Sequence, residues 1–191
     1  MRRPSCQKTK QRSDARQNKA RILGTVNQLS QQGVDISEMK MTEIAKQANV
    51  GVGTLYRHFE NKAVLCIAMM DAQVETMFDE IQHFLATHAT ATAYERVKGI
   101  LQIYVDLKET HFHTLSFIEK SINRSISIVQ IPFYQQLAET ISEQLDETEQ
   151  SHFKTHLLLN CFSNEFYYFA KNDLKLSKEA YIQQVLDVIL K

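Results

Sequence analysis

The sequence predicts an all-α fold, with an N-terminal three-helix head followed by a C-terminal helical bundle. Three observations carry that expectation. Only five glycines and two prolines occur in 191 residues, too few breakers for a protein of strands and turns. Apolar residues make up 43% of the chain and recur at three- and four-residue spacing in almost every segment, which is the helical period. The charges also divide. Residues 1–65 hold 12 Lys+Arg against 5 Asp+Glu, and residues 66–191 hold 10 against 17, so a formally neutral chain joins a basic third to an acidic remainder.

Residues 1–13 are polar and basic with almost nothing to bury, and are expected to form a disordered arm. A first helix is expected from Asp14, a suitable N-cap, to Gln32, with Gly33 as its stop. Its apolar stripe is Ala20, Ile22, Leu23, Val26 and Leu29. The stretch Lys40 to Phe59 reads as two short helices around a tight turn. In the first, Ile44, Ala45 and Ala48 share a face. Asn49 and Gly51 supply turn chemistry, with Val50 plugging the angle between the helices. In the second, Val52, Leu55 and Phe59 share a face, and Thr54, Arg57 and His58 look away from it. A short helix with so narrow a stripe needs neighbours to be stable and turns its polar face outward. That is the build of a helix-turn-helix whose second helix enters a DNA major groove.

The run Ile44-Ala45, Val50, Gly53-Thr54-Leu55-Tyr56, His58-Phe59 and Asn61-Lys62 resembles the DNA-binding signature of the TetR/AcrR family of bacterial one-component transcriptional regulators. The resemblance covers the N-terminal third. It implies a homodimeric repressor, released from a pseudo-palindromic double-stranded DNA operator by a small-molecule effector. It assigns Tyr56, His58 and Lys62 to phosphate contacts. The outward groups Val52, Gly53, Thr54 and Arg57 are left for base reading, with Thr42 from the preceding helix and Lys40 at its start. The sequence departs from the family pattern in places. Gly24 interrupts the first helix, Ser30 and Val34 stand where aromatics are usual, Lys40 replaces a Ser or Thr cap, and Thr42 replaces a frequent Arg.

A long helix is expected from Lys62 to Thr87. In the family it links the DNA-binding domain, here 14–68, to an effector-binding and dimerisation domain, here 69–191. Further helices are expected at Ala93–Thr110, Phe112–Ile122, Phe133–Leu145, Glu149–Lys171 and Ser177–Leu190, with Asn123-Arg124-Ser125 and Pro132 as punctuation. The last two are apolar over more of their circumference than a one-sided surface helix needs. A two-fold interface, which is the family's arrangement, would cover the surplus through Phe153, Leu157, Tyr181, Val185, Leu186 and Ile189. An effector pocket is expected among Met69, Met70, Tyr104, Phe112, Phe117, Phe133, Tyr134, Phe162 and Phe166, for an apolar or aromatic ligand.

Other function classes find no support in the residues. There is no glycine-rich phosphate loop, zinc-protease pattern or nucleophile elbow, so no enzyme is expected. Cys6, Cys66 and Cys161 are odd in number and far apart, giving neither a disulfide framework nor a zinc site. They fit a reducing, cytoplasmic setting. His152 and His156 with Glu149, and His111 with His113, have spacings common by chance, so no metal or other cofactor is expected. No run of about eighteen apolar residues exists to span a membrane, and the basic N-terminus lacks the apolar stretch of a secretion signal.

Overall fold

The computed structural model describes residues 5–122, 131–145 and 149–190, and among them the regular structure is α-helical with no strand. The chain divides into two compact units, residues 1–71 and 72–191.

In the first unit, the head, helix α1 runs Ser5–Gln31, α2 Met41–Gln47 and α3 Val52–His58. The helix α1 begins nine residues before Asp14, so the arm expected at 1–13 is helical from Ser5 onward. The physical reason is in the sequence. From Cys6 to Ser13 there is no Pro or Gly, and Gln, Lys and Arg are good helix formers even with nothing to bury. At its other end α1 stops as expected. Gly33 takes a left-handed φ of +83°, and the Val34 N–H reaches back to the Leu29 carbonyl at 3.0 Å while Gly33 donates to Ser30 at 2.9 Å. This is a Schellman closure. Gly24 leaves α1 unbroken, and a Cβ added there would meet nothing within 4 Å. Helix α1 contacts both α2 and α3, which contact each other. Ile22, Val26, Ile36, Met41, Ile44, Ala45, Leu55 and Phe59 are buried in this unit.

Helix α4, Lys62–Thr87, is one unbroken helix, and the division between the units falls within it. The second unit, the body, continues with α5 Ala93–Thr110, α6 Phe112–Ile122, α7 Pro132–Ser142, α8 Glu149–Cys161, α9 Asn164–Asn172 and α10 Lys178–Leu190. Helices α5 and α6 begin and end where the sequence places them. The expected Glu149–Lys171 helix is instead two. The chain tightens at Phe162 and Ser163, whose N–H groups bond to Leu159 and Asn160. The Ser163 hydroxyl then accepts from the Phe166 N–H and caps a new helix. Asn123, Arg124 and Ser125 lie outside the described residues.

The body's core runs from Met77, Phe78 and Ile81 on α4 through Ile100, Leu101 and Tyr104 on α5 to Ile182 and Leu186 on α10. Gly99 lets α4 and α5 approach, because a Cβ there would lie 2.0 Å from Cζ of Phe84. A polar network crosses this apolar interior. The Lys108 ammonium, 1% exposed, pairs with Glu119 at 3.2 Å and donates to the Tyr104 hydroxyl at 3.3 Å. Tyr104 donates to Tyr134 at 3.1 Å, Tyr134 to Glu119 at 3.2 Å, and the Asn164 N–H to the other Glu119 oxygen at 3.0 Å. Helices α5, α6, α7 and α9 are thereby tied through one carboxylate.

Candidate nucleic-acid interface

The turn between α2 and α3 is set by Asn49. It adopts φ +51°, a left-handed conformation that Asn tolerates better than most residues. The Val50 N–H bonds to the Ala45 carbonyl at 3.0 Å and the Asn49 N–H to Lys46 at 3.1 Å, which closes α2 in a second Schellman motif. Gly51 does not share the turn role expected of it. Its φ is −64°, open to any residue, and it serves as the N-cap of α3.

Lys40 has no acceptor with which to cap α2, as its side chain predicts. The missing cap is offset from inside the helix, where the Glu43 carboxylate accepts the Lys40 N–H at 2.8 Å. Further back, Asp35 accepts from both the backbone and the hydroxyl of Ser37, at 2.9 and 2.7 Å. This is an Asx turn that shapes the loop leading into α2. Asn61 caps α4 by accepting the Val64 N–H at 3.0 Å.

These devices leave α3 anchored on one side and open on the other. Leu55 and, just past the helix end, Phe59 are buried, whereas Val52, Gly53, Tyr56 and Arg57 are exposed and Thr54 and His58 half-buried. Val52 therefore leaves the apolar face assigned to it; Tyr56 is 48% exposed. A Cβ on Gly53 would meet nothing within 4 Å, so nothing in this chain demands a glycine there. Thr42, Lys40 and Lys46 are exposed at α2, as are Arg16, Lys19 and Arg21 on α1. Lys62 stands apart from the others. Its ammonium donates to the carbonyls of Ser37 and of Met39, the latter at 3.1 Å, and holds the entry loop of α2 against the start of α4. No local spacing signals this contact, because the partners lie more than twenty positions upstream.

The body rearranges the other expectations. Tyr104, Tyr134 and Phe162 are closed into the core, and Met69 and Met70 are buried. Phe133 packs on the rings of Phe78, Tyr104 and Tyr134. Phe112 lies on Tyr168, Phe117 is half-buried, and Phe166 is 52% exposed. An open cleft of about 360 Å³ lies between α4 and the end of α5, and none of these nine residues lines it. Its walls are Ala72, Gln73, Thr76, Met77 and Glu80 on one side and Asp106, Leu107, Thr110 and His111 on the other. Of the six residues expected at a two-fold interface, Tyr181, Leu186 and Ile189 face the core of their own unit and Val185 is half-buried. Phe153, at 69%, and Leu157 are exposed on α8, and so is Val188 on α10, at 84%. Among the described residues no three His, Cys, Asp or Glu side chains cluster as a metal site, and no helix is long and apolar enough to cross a membrane.

Known proteins share this architecture. The family model of the bacterial regulatory proteins of the tetR family matches residues 22–69. An HTH-type transcriptional regulator of Staphylococcus aureus (strain MRSA252) is 46% identical over 185 residues, covering 95% of this chain and 97% of its own. The chain belongs to the TetR family of bacterial regulatory proteins. It is therefore a helix-turn-helix, DNA-binding transcriptional regulator. A second HTH-type regulator of the same strain is 29% identical over 94% of this chain and 96% of its own. Among solved structures, a TetR transcriptional regulator from Rhodococcus sp. RHA1 has a TM-score of 0.59 at 19% identity, covering 93% of this chain and 97% of that one. A TetR-family regulator from Bordetella parapertussis 12822 has a TM-score of 0.58 at 16% identity, covering 91% and 94%. Both share the fold.

Proposed function

We propose that this TetR-family regulator is a homodimeric repressor, held on a pseudo-palindromic operator and released from it by a small-molecule ligand. The observation that carries the DNA-contact reading is the two-sidedness of α3. Leu55 anchors it with Phe59, while Val52, Gly53, Tyr56 and Arg57 stand in solvent. A helix so mounted can lie in a major groove. Arg57 reads a guanine edge, Val52 and the Thr54 methyl touch thymine methyls, and Gly53 admits close approach of the backbone. Tyr56 and His58 donate to phosphates, with Lys40 and Thr42 beside them at the start of α2. Lys62, committed to the Ser37 and Met39 carbonyls, positions the α2 entry and adds charge rather than a dedicated phosphate contact.

Two recognition helices must sit roughly 34–36 Å apart to enter successive grooves. The exposed apolar groups Phe153, Leu157 and Val188 are the surface on which a second copy would pair to give that spacing. The unbroken α4 is the part of the chain through which a ligand held by the body would tilt the head. Only about 1.4 kcal/mol of differential binding is needed for a tenfold loss of operator affinity.

The test is fluorescence anisotropy on DNA from upstream of the protein's own gene, against random competitor, at two salt concentrations, with sedimentation of the free protein. The expected result is a dimer whose binding survives competitor and falls steeply with salt. A monomer at micromolar concentration would overturn the dimeric reading. Arg57→Ala losing affinity equally for every operator variant would overturn base reading by that residue.

A further inference from the structure

The polar groups on the walls of the cleft between α4 and α5 are mostly acceptors. The hydroxyl protons of Thr76 and Thr110 are already donated to their own helix, to the carbonyls of Ala72 at 2.9 Å and Asp106 at 2.8 Å. What they leave toward the cleft is lone pairs. Glu80 and Asp106 bring carboxylates, and among the described residues no Lys or Arg lines the space. Lys178 reaches one Asp106 oxygen at 2.7 Å and offsets part of that charge, so the weight falls on Glu80. The Oε1 atom of Gln73 is buried and has no hydrogen-bond partner among the described residues. A buried acceptor without a donor is unfavourable, and a donor or a cation that drew the Gln73 amide into the cleft would relieve it. Burial holds the His111 imidazole below the usual histidine range, so it stays uncharged near neutral pH. Met77 and Leu107 supply apolar wall, and a volume of about 360 Å³ is that of a small-molecule site.

We propose that this cleft binds an organic cation, a protonated or quaternary amine on a compact apolar body, through Glu80, Gln73 and Asp106. The inference narrows the ligand of the proposed repressor and rests on that reading only for its consequence at the operator, not for binding itself. It also moves the ligand site away from the aromatic core, where the rings already pack on one another.

The experiment uses the full chain and three probes of nearly one shape: benzyltrimethylammonium, its neutral carbon isostere neopentylbenzene, and the anion benzylsulfonate. Calorimetry gives affinity, and amide NMR shifts at Thr76 and Leu107 give location. The cation is expected to bind saturably and at least about tenfold more tightly than either other probe. Glu80→Gln should weaken it by about tenfold. Thr76→Arg, which places a fixed cation in the cleft from an exposed position, should abolish binding with circular dichroism unchanged. Equal affinity for the isostere, preference for the anion, no saturable binding by the unmodified chain, or indifference to both substitutions would each overturn the proposal. Operator anisotropy separates the two readings. Cation binding without DNA release leaves the site standing and sinks ligand release by this route. Release by other compounds with no shift at Thr76 or Leu107 does the reverse.

Discussion

In the head, every candidate DNA contact lies from Lys40 to Lys62, and most of the devices that shape this stretch are local, the reach of Lys62 to Ser37 and Met39 being the exception. Asn49 sets the angle of the turn, Glu43 holds the Lys40 N–H, and Asn61 opens α4. In the body, the groups that matter meet from far apart in sequence. Glu119 gathers Lys108, Tyr134 and Asn164, and Asp106 meets Lys178. The head rests mainly on local geometry and the body mainly on tertiary coincidence. Short-range devices can be read from a sequence and changed one at a time. Long-range ones share partners, so removing one member strands the rest.

Substitutions sharpen that contrast. The largest effect is expected at Glu119→Ala, which leaves the buried Lys108 ammonium without its counter-charge. Urea unfolding should show a loss of about 3–5 kcal/mol, most of it recovered when Lys108→Met is added. A loss under about 1 kcal/mol would mean the network is dispensable. Gly99→Ala drives a methyl into the Phe84 ring and should cost about 1–3 kcal/mol despite the better helix propensity of Ala. Phe84→Ala in the same chain should remove the penalty.

At Gly53 the two readouts should part. Gly53→Ala has open space around it, so unfolding should be unchanged or slightly favourable. Operator affinity should fall about tenfold if the backbone approaches DNA there. Equal operator affinity would remove Gly53 from the contact set. Asn49→Ala places an ordinary residue at φ +51° and should destabilise the protein by about 1 kcal/mol, whereas Asn49→Gly should not.

The smallest effect concerns Cys66. Burial raises its thiol from 9.0 to about 11, so a thiol reagent at pH 8 should leave it unmodified until the chain unfolds, while half-buried Cys161 reacts first. The native thiol holds its proton more tightly than the unfolded one. Its contribution to stability is therefore complete below pH 9 and is lost as pH rises through about 11. A flat stability profile across that window would show that Cys66 is hydrated.

The head was legible because its period, its turn residues and its motif fall within one short window, and Leu55 and Phe59 are buried as their spacing predicts. Ser5 to Ser13 departs from the expected arm because good helix formers sustain a helix there without burial. The break at Ser163 is not legible in the sequence, because its apolar flanks continue the pattern on both sides, and only the hydroxyl's bond to Phe166 shows that it caps a helix. The α10 stripe was seen in full, but a stripe does not say which edge faces inward. Tyr181, Leu186 and Ile189 went to the core, and Val188 was left outside.

By itself the sequence determined the helical class, the helix-turn-helix and most of the exposed groups of α3, because each follows from spacing within a few turns of chain. Tertiary structure decided what Lys62 holds, where the cleft opens and which apolar groups remain uncovered. Those depend on the volumes of side chains brought together from distant positions, and no local period encodes a volume.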